Sequence, residues 1–205
     1  MVAGRQRDFE IEEALEKAML VFWKKGYLGA SLTDLTTSMG INKPSMYAAF
    51  GNKEALFVAA AAYYGEKVAA PLFALLREEN KSLQYRLKNY LRSTAELLCD
   101  VKTPRGCFIT VASNELAAHS LPDKAQNVIV DATNCSEEAF EQFFAEEMNK
   151  DYIDKNTNLK DLTLFMLTVL HGQAAMARNG KSLEQLYQAI DFSMLSFNEI
   201  LPIGH

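Results

Sequence analysis

Cysteine, histidine and tryptophan are scarce in these 205 residues: three, three and one. An odd number of cysteines at irregular spacing, with no CxxC pair and no His-rich tract, argues against a disulfide scaffold and a structural zinc site. A long apolar run is also missing. The longest uncharged one near the front, Ala55 to Tyr64, falls well short of a bilayer span, and the chain opens on polar and charged residues rather than an apolar signal core. A cytoplasmic protein without a membrane partner is expected. Residues 150–158 hold Asp151, Asp154, Asn156 and Asn158, but lack the glycine and terminal glutamate of a calcium loop and read as a connector. No metal or cofactor is expected.

What is present is apolar residue, 49% of the chain, enough for a sizeable core in one or two domains and too much for disorder. It recurs at helical spacing. Phe9, Ala14, Leu15, Ala18, Met19 and Phe22 predict a helix from Phe9 to Lys25, closed by Gly26 and preceded by an arm, residues 1–8, that carries Arg5 and Arg7. Further helices are predicted from Lys53, with a bend between Gly65 and Pro71, over 82–99, from Cys107 onward, over 122–149, over 159–178 and over 183–201. The fold class is all-α. Asn179-Gly180 stops one of the last two helices and Ser182 caps the other, giving an αα-hairpin. Both are apolar over so wide an arc that they need cover on two sides, which a second copy would supply with two-fold symmetry through residues 159–201.

The stretch from Ser31 to Lys53 carries the functional signal. Ser31-x-x-Asp34 is a capping box with the shorter acid, Leu32, Leu35 and Met39 share a face, and Gly40 stands where a tight turn needs a residue without a side chain. Asn42 caps a second short helix, in which Pro44 is tolerated because the first turn has no N–H partner to lose. This is a helix-turn-helix. Its second helix would expose Lys43, Pro44, Ser45, Tyr47 and Ala48, a cation, hydroxyls and small apolar groups suited to base edges and thymine methyls. Ser31, Thr33 and Lys53 are placed to hold phosphates.

Net charge of −5 looks wrong for a nucleic-acid binder until it is divided. Residues 1–54 hold seven Lys/Arg and seven Asp/Glu, so the whole deficit lies in residues 55–205. The front is neutral, with Asp8, Glu10, Glu12, Glu13 and Glu16 confined to the first helix. Non-specific affinity should be modest and salt-sensitive, leaving specific contacts to supply much of the binding.

The aromatic-Lys-Lys-Gly-Tyr27 exit, Ser31-Leu32-x-Asp34-Leu35, Gly40-Ile41-x-Lys43, Tyr47-x-x-Phe50 and Asn52-Lys53-Glu54-x-Leu56 together resemble the N-terminal domain of tetracycline-repressor-like (TetR family) transcriptional regulators. The resemblance covers about 50 residues. It implies an N-terminal three-helix helix-turn-helix domain, residues 1–52, followed by a larger helical ligand-binding and dimerisation domain, residues 53–205. It also implies a homodimer on a palindromic operator in double-stranded DNA, released by a small-molecule inducer. In that family the positions of Thr33, Lys43, Ser45, Tyr47 and Lys53 touch operator backbone or bases. The helix from Lys53 is the family's lever between domains.

Pro104-Arg105-Gly106-Cys107 resembles a subset in which a C-terminal-domain helix begins with a cysteine facing the inducer chamber, used by some members as a redox switch. At a helix N-terminus beside Arg105, dipole and cation would both favour the Cys107 thiolate; a small buried packing residue is the alternative. Cys99 would resolve an oxidised Cys107 only if the intervening loop folds back. Phe73, Phe108, Val111, Asn114, Phe144 and Met166 are candidate chamber walls, implying an apolar or aromatic ligand. His171 either lines that chamber or hydrogen-bonds across the core. Two other functions compete: an enzyme using Cys107 with His119 or His171, for which no acyl-transfer motif or third orienting group is present, and a helical adaptor that does not bind DNA.

Overall fold

A computed structural model describes the backbone of residues 2–200 and the side chains of residues 11–199. Among the described residues the chain is helical, without a strand: α1 (Val2–Gly29), α2 (Leu32–Met39), α3 (Lys43–Phe50), α4 (Lys53–Tyr64), a π-turn (Gly65–Ala69), α5 (Ala70–Phe73), a 3₁₀ turn (Ala74–Arg77), α6 (Leu83–Cys99), α7 (Phe108–Ala117), α8 (Asp123–Asn149), α9 (Leu159–Arg178) and α10 (Leu183–Ile200). The expected arm is already helical in its backbone from Val2. The side chains of Arg5, Arg7 and Phe9, and all of Leu201, lie outside the described residues.

The helices pack as two compact units, Met1–Ala69 with Cys107–Ala132, and Ala70–Gly106 with Thr133–His205. The first unit does not stop at residue 52, where the sequence sets a boundary, but takes in α4 and α7. In the first unit, Ala14, Ala18, Met19, Phe22 and Trp23 of α1 are buried, as are Leu56, Phe57, Ala60, Ala61 and Tyr64 of α4, each set at three-and-four spacing. Trp23 meets Tyr64 edge-on with centroids 5.1 Å apart, and Phe57 takes the edge of Phe22 at 5.1 Å while stacking on Phe108 of α7 at 5.5 Å. Such contacts each add about 0.5–1.5 kcal/mol beyond area burial. Trp23 is therefore core, and Tyr27, stacked on Phe22 and edge-on to Phe57, is its half-buried margin.

Regular α geometry ends at Tyr64, as Gly65 and Pro71 predict. Pro71 has no N–H to give the carbonyl four residues back, and the backbone passes through the π-turn and the four-residue α5 into the 3₁₀ turn.

The second unit is built on α6, α9, α10 and the part of α8 from Thr133. Phe73, Tyr90, Phe140, Phe143 and Phe144 form its aromatic centre. Leu186, Ile190, Met194 and Phe197 form the buried stripe of α10. Asn179 and Gly180, the latter at φ 85°, turn the chain between α9 and α10, and Ser182 Oγ accepts from Gln185 N–H at 3.2 Å. On α9 the buried face is Leu162, Thr163, Met166, Gln173, Ala174 and Ala177, so its wide apolar arc divides. Leu164 and Met176 point outward, 64% and 47% exposed, as do Phe192 and Leu195 of α10 at 74% and 61%.

Candidate nucleic-acid interface

The helix-turn-helix is assembled by reciprocal capping. Ser31 Oγ accepts from Asp34 N–H at 3.0 Å, while the Asp34 carboxylate accepts from Ser31 N–H at 3.0 Å and from its hydroxyl at 2.8 Å. Lys25 of α1 closes on the other carboxylate oxygen at 2.6 Å. Hydrogen bonds from Lys25 and then from Ser31 pull the Asp34 carboxyl down to about 2. Gly40, left-handed at φ 72°, ends α2 and lets Ile41 N–H return to the Thr36 carbonyl at 3.1 Å. Asn42 then accepts from Ser45 N–H at 2.8 Å, and α3 begins at Lys43 with Pro44 in its first turn.

Met46 is the one buried residue of α3. Lys43, Pro44, Ser45, Ala48 and Tyr47, the last 45% exposed, cover the remaining faces, and Thr33 is exposed at the start of α2. A helix held by a single buried side chain and two caps leaves its outer surface for another molecule. Two expected phosphate contacts are partly committed within the protein. The Ser31 hydroxyl is spent in the capping box, and Lys53 is half-buried with Nζ 4.4 Å above the Tyr27 ring. Burial lowers the Lys53 pKa, with Glu115 opposing it.

The chamber candidates divide between the units. In the first, Cys107 is the N-cap of α7 and its Sγ accepts from Tyr64 Oη–H at 3.3 Å. Phe108 and Val111 are buried in the core, with Phe108 also stacked on Tyr64, whereas Asn114 is exposed. In the second, Phe144 and Met166 are buried and Phe73 is half-buried against Tyr90 and Phe140. His171 departs from both expectations: it lies on the exposed side of α9, one turn from Thr168, because its helical phase follows Leu164 rather than Met166.

Arg105 also departs. Its guanidinium donates to the Ala177 and Lys181 carbonyls and to Cys99 Sγ, so the cation expected to favour a Cys107 thiolate caps the end of α9. The loop before Cys107 does fold back, Gly106 N–H donating to the Leu98 carbonyl at 3.0 Å. A groove of about 630 Å³ in the second unit is lined by Cys99, Arg105, Ser93, Glu96 and neighbours, none of them a chamber candidate.

Sequence reasoning missed Glu115, which accepts from two backbone N–H groups of α1, and Gln173, whose amide is buried on α9 with neither end partnered among the described residues. Gln173 was signalled by a polar residue falling in the core phase of an apolar helix. Glu115 carried no local signal. No group of His, Cys, Asp or Glu among the described residues is arranged to hold a metal ion, and no helix among them is long and apolar enough to cross a membrane.

A doubly capped helix-turn-helix with a polar, exposed second helix, carried on a helical body, defines a DNA-binding regulator. The chain belongs to the tetR family of bacterial regulatory proteins, whose family model matches residues 14–60. It is 32% identical over 200 residues to the HTH-type transcriptional repressor ComR of Escherichia coli (strain K12), a match covering 97% of this chain and 93% of that protein. To the HTH-type transcriptional repressor BdcR of the same organism it is 31% identical over 185 residues, 90% of this chain and 87% of that one. Among solved structures, a cysteine mutant of the TetR family transcriptional regulator CifR, complexed with 26bp double-strand operator DNA, matches with a TM-score of 0.80 at 28% identity, covering 91% of this chain and 96% of that chain. The reduced form of E. coli NemR has a TM-score of 0.78 at 15% identity over 96% and 98% of the two chains, and shares the fold. Like its family, this protein is a transcriptional regulator that binds DNA, not an enzyme.

Proposed function

We propose that the protein is a cytoplasmic repressor that binds a palindromic operator as a two-fold homodimer and leaves it when a small apolar or aromatic ligand binds, or when Cys107 is oxidised or alkylated. The observation that carries this reading is the surface of α3, where Lys43, Pro44, Ser45 and Tyr47 stand clear of the protein around the single buried Met46. Residues 1–52 form the DNA-reading part, with Thr33, Ser31 and Lys53 on the phosphates, and residues 53–205 the ligand-binding and dimerisation part. ComR and BdcR are named repressors, and CifR is described on operator DNA, which supports the same role here.

Dimerisation is supported by the outward apolar residues of α9 and α10, which a second copy would cover. Two recognition helices related by a two-fold axis then read successive major grooves. Cys107 is the thiol of choice in the subset marked by Pro104-Arg105-Gly106-Cys107. It is half-buried, and an adduct on Sγ would take the place of the Tyr64 hydrogen bond. Within the second unit, Phe73, Phe144 and Met166 remain the candidates for the wall of a ligand chamber.

Selection of bound duplexes from a random pool tests the reading. It should return a palindrome whose affinity falls steeply with salt. Recovery of no enriched sequence by the folded dimer would refute it.

A further inference from the structure

We propose that Glu115 is the positioning residue through which α7 fixes the angle at which the chain enters the helix-turn-helix; the inference rests on the regulator reading above. At Gly26 the backbone leaves helical geometry, φ 75° and ψ 177°, so the next N–H groups lose their partners in α1. A side chain far along the chain takes both: Glu115 Oε2 accepts from Tyr27 N–H at 2.7 Å and Oε1 from Leu28 N–H at 3.0 Å. Glycine is favoured at position 26 by its positive φ, and a Cβ there would lie 2.6 Å from Glu115 Oε1 and push the carboxylate off its seat.

What this clamp holds is the root of the reading element. Ala30, wholly buried, and Ser31, the N-cap of α2, follow within three residues of Leu28. The ring of Tyr27 is gripped between Phe22 and Phe57, with Lys53 Nζ above it. Lys53 is the first residue of α4, where the chain leaves the helix-turn-helix. One carboxylate on α7 thus holds the entry directly and acts electrostatically on the cation at the exit. The opposite end of α7 is Cys107, bonded to Tyr64, with Phe108 stacked on Phe57 and Tyr64. A ten-residue helix is a rod of about 15 Å. A shift at its Cys107 end moves the Glu115 carboxylate relative to the two N–H groups it holds.

The test uses the full-length protein and the duplex selected by the wild type. Glu115→Gln keeps the shape but replaces one acceptor oxygen with a donor facing an N–H. It should weaken operator binding roughly tenfold, leave affinity for a random duplex within about twofold, and speed amide exchange at Tyr27 and Leu28. Glu115→Asp should recover part of the loss. Gly26→Ala, which pushes on the same carboxylate and also strains a positive-φ backbone, should show a defect at least as large. A folded Glu115→Gln protein with wild-type operator affinity, or with wild-type amide exchange at Tyr27 and Leu28, would overturn the proposal while leaving the regulator reading intact. A wild type that binds no specific duplex would overturn that reading, and this one with it.

Discussion

Arg86 and Glu147 form a two-pronged ion pair inside the second unit, their side chains only 6% and 2% exposed. One guanidinium nitrogen also donates to the Leu76 carbonyl at 2.6 Å, tying the 3₁₀ turn to α6 and α8. Burial alone would raise the Glu147 carboxyl, but hydrogen bonds from Arg86 and Lys150 outweigh it and hold it below its usual range. Glu147→Ala strands a buried cation and should cost about 3–5 kcal/mol in urea unfolding, whereas replacing both partners with Met and Leu should be near neutral. A single variant as stable as the wild type would show the pair to be dispensable.

On α3, the exposed side chains can be removed at little cost in stability. Tyr47→Ala should leave the melting temperature unchanged and weaken the operator complex by about 1–3 kcal/mol. Lys43→Ala should weaken all duplexes similarly and reduce the salt dependence by about one counterion. Equal binding by both variants and the wild type, in titrations across salt, would point to a different DNA-facing surface.

The outward residues of α9 and α10 predict a charge-sensitive dimer. Phe192→Glu, 74% exposed in the single chain, spares the unit's own core. In a two-fold interface it inserts two like charges, so light scattering should show monomers, and operator affinity should fall with dimerisation. Dimers of unchanged affinity would move the interface elsewhere.

Acid should weaken the reading element through Asp34. Its folded pKa of about 2 lies below the ordinary 3.8, so its contribution is full above about pH 4 and disappears as pH falls toward 2. Asp34→Asn should therefore be less stable than the wild type at neutral pH, with the gap closing over that window in acid-unfolding curves. A gap that persists at pH 2 would mean that capping geometry, not charge, matters.

Gln173 has both amide atoms buried and without a partner among the described residues. Gln173→Leu removes two orphaned polar atoms and should raise stability by about 1–2 kcal/mol, read from the thermal midpoint. A loss would show that the amide has a partner in solution.

Much of the architecture was legible in the residues themselves. Ser31-x-x-Asp34, Gly40, Asn42 with Pro44, Asn52, Ser82 and Asn179-Gly180 place helix ends where the structure has them, because a cap acts through hydrogen bonds within about one turn. The buried stripe of α10 follows its periodicity for the same reason. Where an apolar arc is too wide, as on α9, periodicity does not choose a side. Leu164 and Leu162 are equally apolar, yet one is 64% and the other 3% exposed.

The amino-acid order alone determined an all-helical chain and a helix-turn-helix exposing Lys43, Pro44, Ser45 and Tyr47. Those features are written in contacts between residues a few positions apart. Only the tertiary structure decided that Arg105 caps α9, that His171 faces outward, and that Glu115 reaches the N–H groups after Gly26. Each depends on where helices distant in sequence come to rest, and that is set by packing of whole faces rather than by any local pattern.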